Sequence, residues 1–189
     1  MILASASPQR RAILEQVGIE FIVRPADVEE ETSGEPVALA EANARRKALA
    51  VRPSRPAQLV LGADTVVALD GDVLGKPAGA AQAREYLQRL SGRTHEVVGG
   101  FALAEHGKVT AAGAEITTVT FRSATPALLD WYVATGEWEG RAGGYAIQGA
   151  GAALVIAIGG DYLNVVGLPL ARLLDLRPDL LPAGAAPPA

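Results

Sequence analysis

Residues 59–69 read Leu-Val-Leu-Gly-Ala-Asp-Thr-Val-Val-Ala-Leu and run directly into Asp70-Gly71. The run is aliphatic and β-prone, so it predicts a long apolar strand. Asp-Gly is a strong hairpin-turn signal, with Val73-Leu74 as the returning strand. No apolar run in the chain reaches the roughly 20 residues that a membrane helix needs. A hairpin built on this strand must therefore find its cover within the chain. One residue stands out against that background: Asp64 puts a carboxylate in the middle of the run. Such a group is costly to bury unless it is paired or bound to a cation.

The remaining elements follow from local signals. Residues 2–4 form a short strand that leads into Ser5-Ala6-Ser7-Pro8. Ser7 is a good N-cap and Pro8 a good first helical residue, so a helix is expected from Pro8 to about Val17, closed by Gly18. Residues 19–24 read as a strand, 26–34 as an acidic loop, 36–51 as an alanine-rich helix and 80–90 as another helix. Strands are expected over 96–104 and 114–121, around a turn at His106-Gly107. Thr125-Pro126 repeats the cap pattern and opens a helix that stops at Gly136. A buried strand is expected at 154–158 and a final helix at 168–176. Hairpins mixed with helices imply an α/β fold with a mixed β-sheet and helices packed around it. One domain is expected over 1–178, with a Pro/Ala-rich tail at 179–189.

Composition removes several classes of chemistry. The chain has 189 residues, 49% of them hydrophobic and 20% charged, which excludes bulk disorder. It has no cysteine, so disulfides, thiolate metal sites and a cysteine nucleophile are excluded. With two histidines, His95 and His106, a three-histidine metal site is impossible. Any metal would be a hard ion such as Mg²⁺ or Mn²⁺ held by oxygen. The formal charge of −4 argues against a nucleic-acid partner, while leaving room for a small anion on a local basic cluster. Residues 1–4 are too short for a signal-peptide core, and residues after Arg10-Arg11 are amphipathic rather than greasy, so a cytoplasmic protein is expected.

Five features carry possible chemistry. The turn before the first helix offers free backbone N–H groups, the hydroxyls of Ser5 and Ser7, and the guanidinium forks of Arg10 and Arg11, a set that suits phosphate. The same residues also fit a plain helix cap with surface arginines. Asp64 reads either as a structural ion pair or as a metal ligand or general base. Lys47 and Lys76 are two of only three lysines, with Lys108, among 17 basic residues. Lys76 lies in Gly75-Lys76-Pro77, which lacks the glycine spacing and the Ser/Thr of a P-loop. The acidic stretch around Glu30 offers a second oxygen ligand. The glycine-rich segment 141–151 contains Gln148, whose amide can read a nucleobase edge, but it has no dinucleotide fingerprint.

Taken in order, LASASPQRR at 3–11, the helix carrying Lys47-Ala48, GADTVV at 62–67, GKP at 75–77, LSGRTHEV at 90–97, AGGYAIQG at 142–149 and GDYLNVVGLPL at 160–170 resemble the Maf family of nucleoside triphosphate pyrophosphatases. The resemblance implies two lobes flanking a central cleft, as in inosine triphosphate pyrophosphatases, and a homodimer. It implies hydrolysis of a triphosphate to monophosphate and pyrophosphate with a divalent cation. It matches Asp64 to the proton acceptor, Ser7, Arg10, Lys47 and Lys76 to phosphate contacts, and Glu30 to an acidic position in the early loop; by their chemistry Asp64 and Glu30 are the expected metal ligands. Gln9, Thr65 and Gln148 fall at positions that separate branches. The dTTP/UTP branch has Arg, Thr and Gln there, and the 7-methyl-GTP branch has Trp, Gln and Glu. Thr65 and Gln148 follow the first branch, and Gln9 follows neither. A glutamine at 148 can donate to O4 and accept from N3–H of uracil or thymine. The alternatives are a 7-methyl-GTP pyrophosphatase, a phosphatase that removes the γ-phosphate, and a regulator of cell division that binds nucleotide without turnover.

Overall fold

The expected apolar strand forms as β3, Val60–Leu69, and organises the whole molecule. The computed structural model describes residues 1–55 and 57–182. The expected tail at 179–189 therefore lies largely outside the described residues, and within them Pro178–Leu180 makes a 3-10 turn. Along one edge of β3 runs β5, Thr94–Glu105, antiparallel and paired from Val60↔Ala104 to Ala68↔Glu96. The other edge is shared. Strand β1, Ile2–Leu3, pairs in parallel with Val60 and Leu61. Strand β4, Asp72–Leu74, pairs antiparallel with Val67 to Leu69 through the hairpin, where Asp70 and Gly71 both have positive φ. Residues 62–66, with Asp64 at their centre, have no strand on that edge.

The sheet is completed by β2, Ile22–Val23, parallel to β1, and by β6, Lys108–Phe121, and β7, Val155–Gly159, which continue antiparallel beyond β5. It is a mixed sheet of seven strands in the order β2-β1-β3-β5-β6-β7, with β4 on β3. The helices are α1, Pro8–Gln16; α2, Pro36–Ala50; α3, Ala80–Leu90; α4, Pro126–Ala134; α5, Tyr162–Val166; and α6, Leu170–Leu176. The caps work as the sequence implies: Ser7 Oγ accepts from Arg10 N–H, and Thr125 Oγ1 from Leu128 N–H.

Alternation along β3 divides the core. Its even-numbered face, with Val60 and Val66, packs on Leu39, Ala40, Ala44 and Ala48 of α2. Its odd-numbered face carries two separate clusters. Leu61 and Ala63 join Leu3, Leu14, Phe101, Leu168 and Leu173. Val67 and Leu69 join Leu87, Leu90, Phe121, Leu129 and Tyr132. Thr65 sits at the divide between them and lines a cleft.

Three expectations need correction. The strand at 154–158 is not buried: β7 is an edge strand with Ile156 64% and Ile158 37% exposed. Its apolar, β-branched run is the same on an edge as in an interior, so composition alone cannot place it. The strand expected over 19–24 shrinks to two residues. Helix α5 comes where no helix was expected: Asp161 caps it through Leu163 N–H, and Gly167, at φ 142°, ends it.

Candidate active site

Chain geometry brings the first turn to the open edge of β3. Ala4 N–H still donates to Leu61 O at 2.8 Å, and there the backbone leaves the sheet. Ser5 Oγ accepts from Ser7 N–H at 3.2 Å and from Arg10 Nη1 at 2.9 Å. Arg10 is buried, its Nε donating to Gly167 O at 2.8 Å and its Nη2 to Thr65 Oγ1 at 3.1 Å. Burial lowers its pKa, and the charges of Asp64 and Glu30 offset part of that fall. Gly167 is held in place by Asn164 of α5, whose Nδ2 donates to Val97 O, Glu115 O and Thr117 Oγ1 at 3.0–3.1 Å.

Asp64 points to the opposite face, towards α2. The helix reaches it because two glycines let backbone approach backbone. A Cβ on Gly62 would lie 2.2 Å from Ala44 O, and one on Gly100 would lie 2.3 Å from Ala40 O. Asn43 and Lys47, one turn apart on α2, then meet the carboxylate. Asp64 Oδ1 lies 2.7 Å from Lys47 Nζ, and Oδ2 accepts from Asn43 Nδ2 at 3.0 Å. Asn43 also bonds Glu31 N–H and O, which fastens the acidic loop and delivers Glu30. Glu30 Oε1 is 2.7 Å from Lys47 Nζ and its Oε2 is 2.8 Å from Lys76 Nζ. The result is one continuous chain, Asn43–Asp64–Lys47–Glu30–Lys76. Burial alone would raise the pKa of Glu30. The two ammonium groups outweigh it, and the carboxylate is lowered to about 2.

These groups line a cleft of about 650 Å³, together with Ser5, Ser7, Gln9, Arg10, Thr65, Glu137, Arg141 and Gln148. The missing strand along 62–66 lets both Asp64 and Thr65, from opposite faces of β3, reach the same space. Gln9 Oε1 accepts from Ser7 Oγ at 3.1 Å. Gln148 is exposed at the start of the 3-10 helix Gly149–Leu154. Arg11 is the correction here. It lies on the outer side of α1, pairs with Glu15 at 2.7 Å and does not line the cleft. Successive helical residues point about 100° apart, so Arg10 and Arg11 cannot share one pocket.

Sequence reasoning missed Asn43, Glu137 and Arg141. Asn43 had a readable signal, since it precedes Lys47 by one helical turn. Glu137 had none. It follows α4 and accepts from Ala150 N–H at 2.8 Å and Gly151 N–H at 3.1 Å, so it staples the segment that carries Gln148. Behind that segment His95 Nε2 shares a 2.8 Å hydrogen bond with Tyr145 Oη. Burial lowers the pKa of His95 to about 4.

As a metal site the donors fit in part. Asp64 and Glu30 are both hard oxygen ligands, and both already face one cation, Lys47 Nζ. Among the described residues no group of three or more His, Cys, Asp or Glu side chains is placed to hold an ion. Two carboxylates suit Mg²⁺ or Mn²⁺ completed by water and substrate phosphates, and do not suit a closed protein cage.

Among the described residues no helix is long and apolar enough to cross a membrane. The family model described as Maf-like protein matches residues 1–178. A dTTP/UTP pyrophosphatase of Symbiobacterium thermophilum is 48% identical over 178 residues, covering 93% of this chain and 91% of that one. One of Pyrococcus furiosus is 46% identical over 178 residues, with 93% of each chain covered. A solved HAM1 protein from Coxiella burnetii superposes with a TM-score of 0.45 at 19% identity, over 65% of this chain and 73% of that one. With the family model matched over residues 1–178 and relatives at this identity, the chain belongs to the Maf family.

Proposed function

We propose that the protein is a nucleoside triphosphate pyrophosphatase that hydrolyses dTTP, UTP or modified pyrimidine nucleotides to the monophosphate and pyrophosphate, and so cleans the nucleotide pool. One observation carries the reading: a buried carboxylate, Asp64, faces a cleft of about 650 Å³ among Arg10, Lys47 and Lys76. A site that only held nucleotide has no use for that carboxylate among its cations. The names of the relatives point the same way.

In this reading the water attacks the α-phosphorus, the α–β bond breaks and pyrophosphate leaves. A carboxylate oxygen of Asp64 orients that water and takes its proton. Lys47, anchored to Asp64 and Glu30, meets charge that develops on the phosphate oxygens. The Ser5–Ser7 turn and the start of α1 present hydroxyls and backbone N–H groups to the phosphate chain. Asp64 and Glu30 would hold a divalent Mg²⁺ or Mn²⁺, which would supply charge neutralisation and a more acidic water. Gln148 supplies a donor and an acceptor to the uracil or thymine edge, and Thr65 lines the same cleft. The enzyme works as a homodimer in the cytoplasm.

The test is a panel of canonical and modified triphosphates with the products identified. Pyrophosphate from UTP and dTTP, lost on chelation of divalent ions, is the expected result. Preference for 7-methyl-GTP overturns the base assignment, orthophosphate overturns the scissile bond, and tight binding without turnover overturns the enzyme.

A further inference from the structure

We infer that Arg141 is a substrate-contacting residue that takes the β–γ end of the triphosphate, the part that leaves as pyrophosphate. The inference rests on the pyrophosphatase reading and adds to it a cation that the known branch-separating and phosphate positions leave out.

Arg10 donates to Gly167, Ser5 and Thr65, one bond from each of its nitrogens. Lys47 and Lys76 are neutralised by Asp64 and Glu30. Arg141 differs from all three. It lines the same cleft, yet it takes part in none of the ion pairs among the described residues. Its Nε is buried with no hydrogen-bond partner. The nearby carboxylates do not satisfy it: Glu137 is committed to Ala150 and Gly151, and Glu139 is exposed. Buried donors are almost always paired, so an orphaned guanidinium N–H on a residue that lines the cleft points to an absent anionic partner.

Position supports a phosphate rather than the base. The 3-10 turn Ala142–Gly144 that follows Arg141 is fastened to the Lys76 segment, with Gly143 N–H donating to Gly75 O at 3.1 Å. Gly143 has φ 69°, and a Cβ there would lie 2.8 Å from Val67 Cγ1, so the turn sits hard against β3. The backbone at Arg141 is thereby fixed beside Lys76, at the outer end of the chain that begins at Asp64. With the α-phosphate at Asp64, the phosphates beyond it run towards Lys76 and Arg141. A planar guanidinium matches two phosphate oxygens at once, which a single ammonium does not.

The experiment uses the whole protein with Mg²⁺ and inorganic pyrophosphate as the probe, measured by calorimetry, beside UTP turnover and UMP binding. In Arg141→Gln, pyrophosphate affinity is expected to fall about tenfold or more and the KM for UTP to rise with it, since bonds to a charged group are lost. UMP affinity and the melting temperature stay near those of the wild type. Arg141→Lys falls between, because it keeps the charge and loses the fork. Unchanged pyrophosphate affinity in folded Arg141→Gln overturns the inference. If that variant does not fold, Arg141→Lys decides: a several-fold loss supports the contact and no loss overturns it. Failure of the pyrophosphatase reading looks different, because then the wild type itself releases no pyrophosphate from any nucleotide.

Discussion

The two walls of the cleft are built on opposite principles. The wall made by β3, α1, α2 and the loops that carry Glu30 and Lys76 is saturated: Asp64, Lys47, Glu30, Lys76 and Arg10 all have partners. The facing wall, residues 137–151, is made of 3-10 turns and glycines, with Gln148 exposed and Arg141 unpaired. Its order comes from Glu137 bonding the backbone of 150–151 and from ties to the rest of the molecule, among them Gly143 to Gly75, Tyr145 to His95, and Ala146 to Tyr132. A saturated wall is set before substrate arrives and suits the chemical step, where reorganisation is costly. A wall with free donors suits recognition, because the ligand completes it.

Breaking the saturated wall has the largest effect. Asp64→Asn removes the proton acceptor and one charge, but Lys47 keeps Glu30 and Asn43 keeps an amide oxygen to bond. Turnover is expected to drop by about a hundred- to ten-thousandfold, with folding and nucleotide affinity preserved. Steady-state kinetics beside a thermal melt reads both. Near wild-type turnover with intact metal dependence contradicts the role of Asp64 and dissolves the contrast between the walls.

Next in size is the anchor of the recognition wall. His95 is 2% exposed and is held near pKa 4, whereas the unfolded chain titrates it near its ordinary 6.5. Its depressed value means the folded state favours the neutral ring. Stability from this group is complete above about pH 6.5, declines as protons bind the unfolded chain, and is gone at about pH 4, a span of roughly 3 kcal/mol. Unfolding free energies from urea titrations at pH 7.5 and 4.5 are expected to differ by most of this contribution, and His95→Gln is expected to flatten that part of the profile. A variant whose acid loss equals that of the wild type assigns the effect to other groups.

The same division sets what the sequence could reveal. The Ser7 cap, the Asp70-Gly71 hairpin and the Asp64 strand depend on neighbours within a few residues, and local chemistry dictates them. Lys47 and Glu30 were candidates on type and scarcity, but their shared pairing depends on Gly62 and Gly100 admitting α2 to the sheet, a contact between distant segments. Arg10 and Arg11 look identical in sequence and part only through helical geometry. Glu137 and Arg141 belong to a wall with no periodicity, so no pattern marks them. The exposure of β7 follows from its place at the end of the sheet, which no run of its own residues encodes.

The smallest expected effect tests that second wall most directly. Glu137 uses both carboxylate oxygens, one for Ala150 N–H and one for Gly151 N–H, and Gly149, next to Gln148, has φ 83° with a would-be Cβ only 2.4 Å from Glu137 Oε1. In Glu137→Gln one oxygen becomes an NH₂, which cannot accept. One backbone N–H loses its partner, at a cost of about 1.5 kcal/mol. If the staple serves recognition, that cost appears where Gln148 acts: KM for UTP rises up to about tenfold, discrimination against other bases narrows, and kcat holds. Inorganic pyrophosphate, which has no base to read, binds as before. If instead kcat falls as far as kcat/KM while base preference is unchanged, the loop contributes to the chemical step, and the two walls do not divide the work between them.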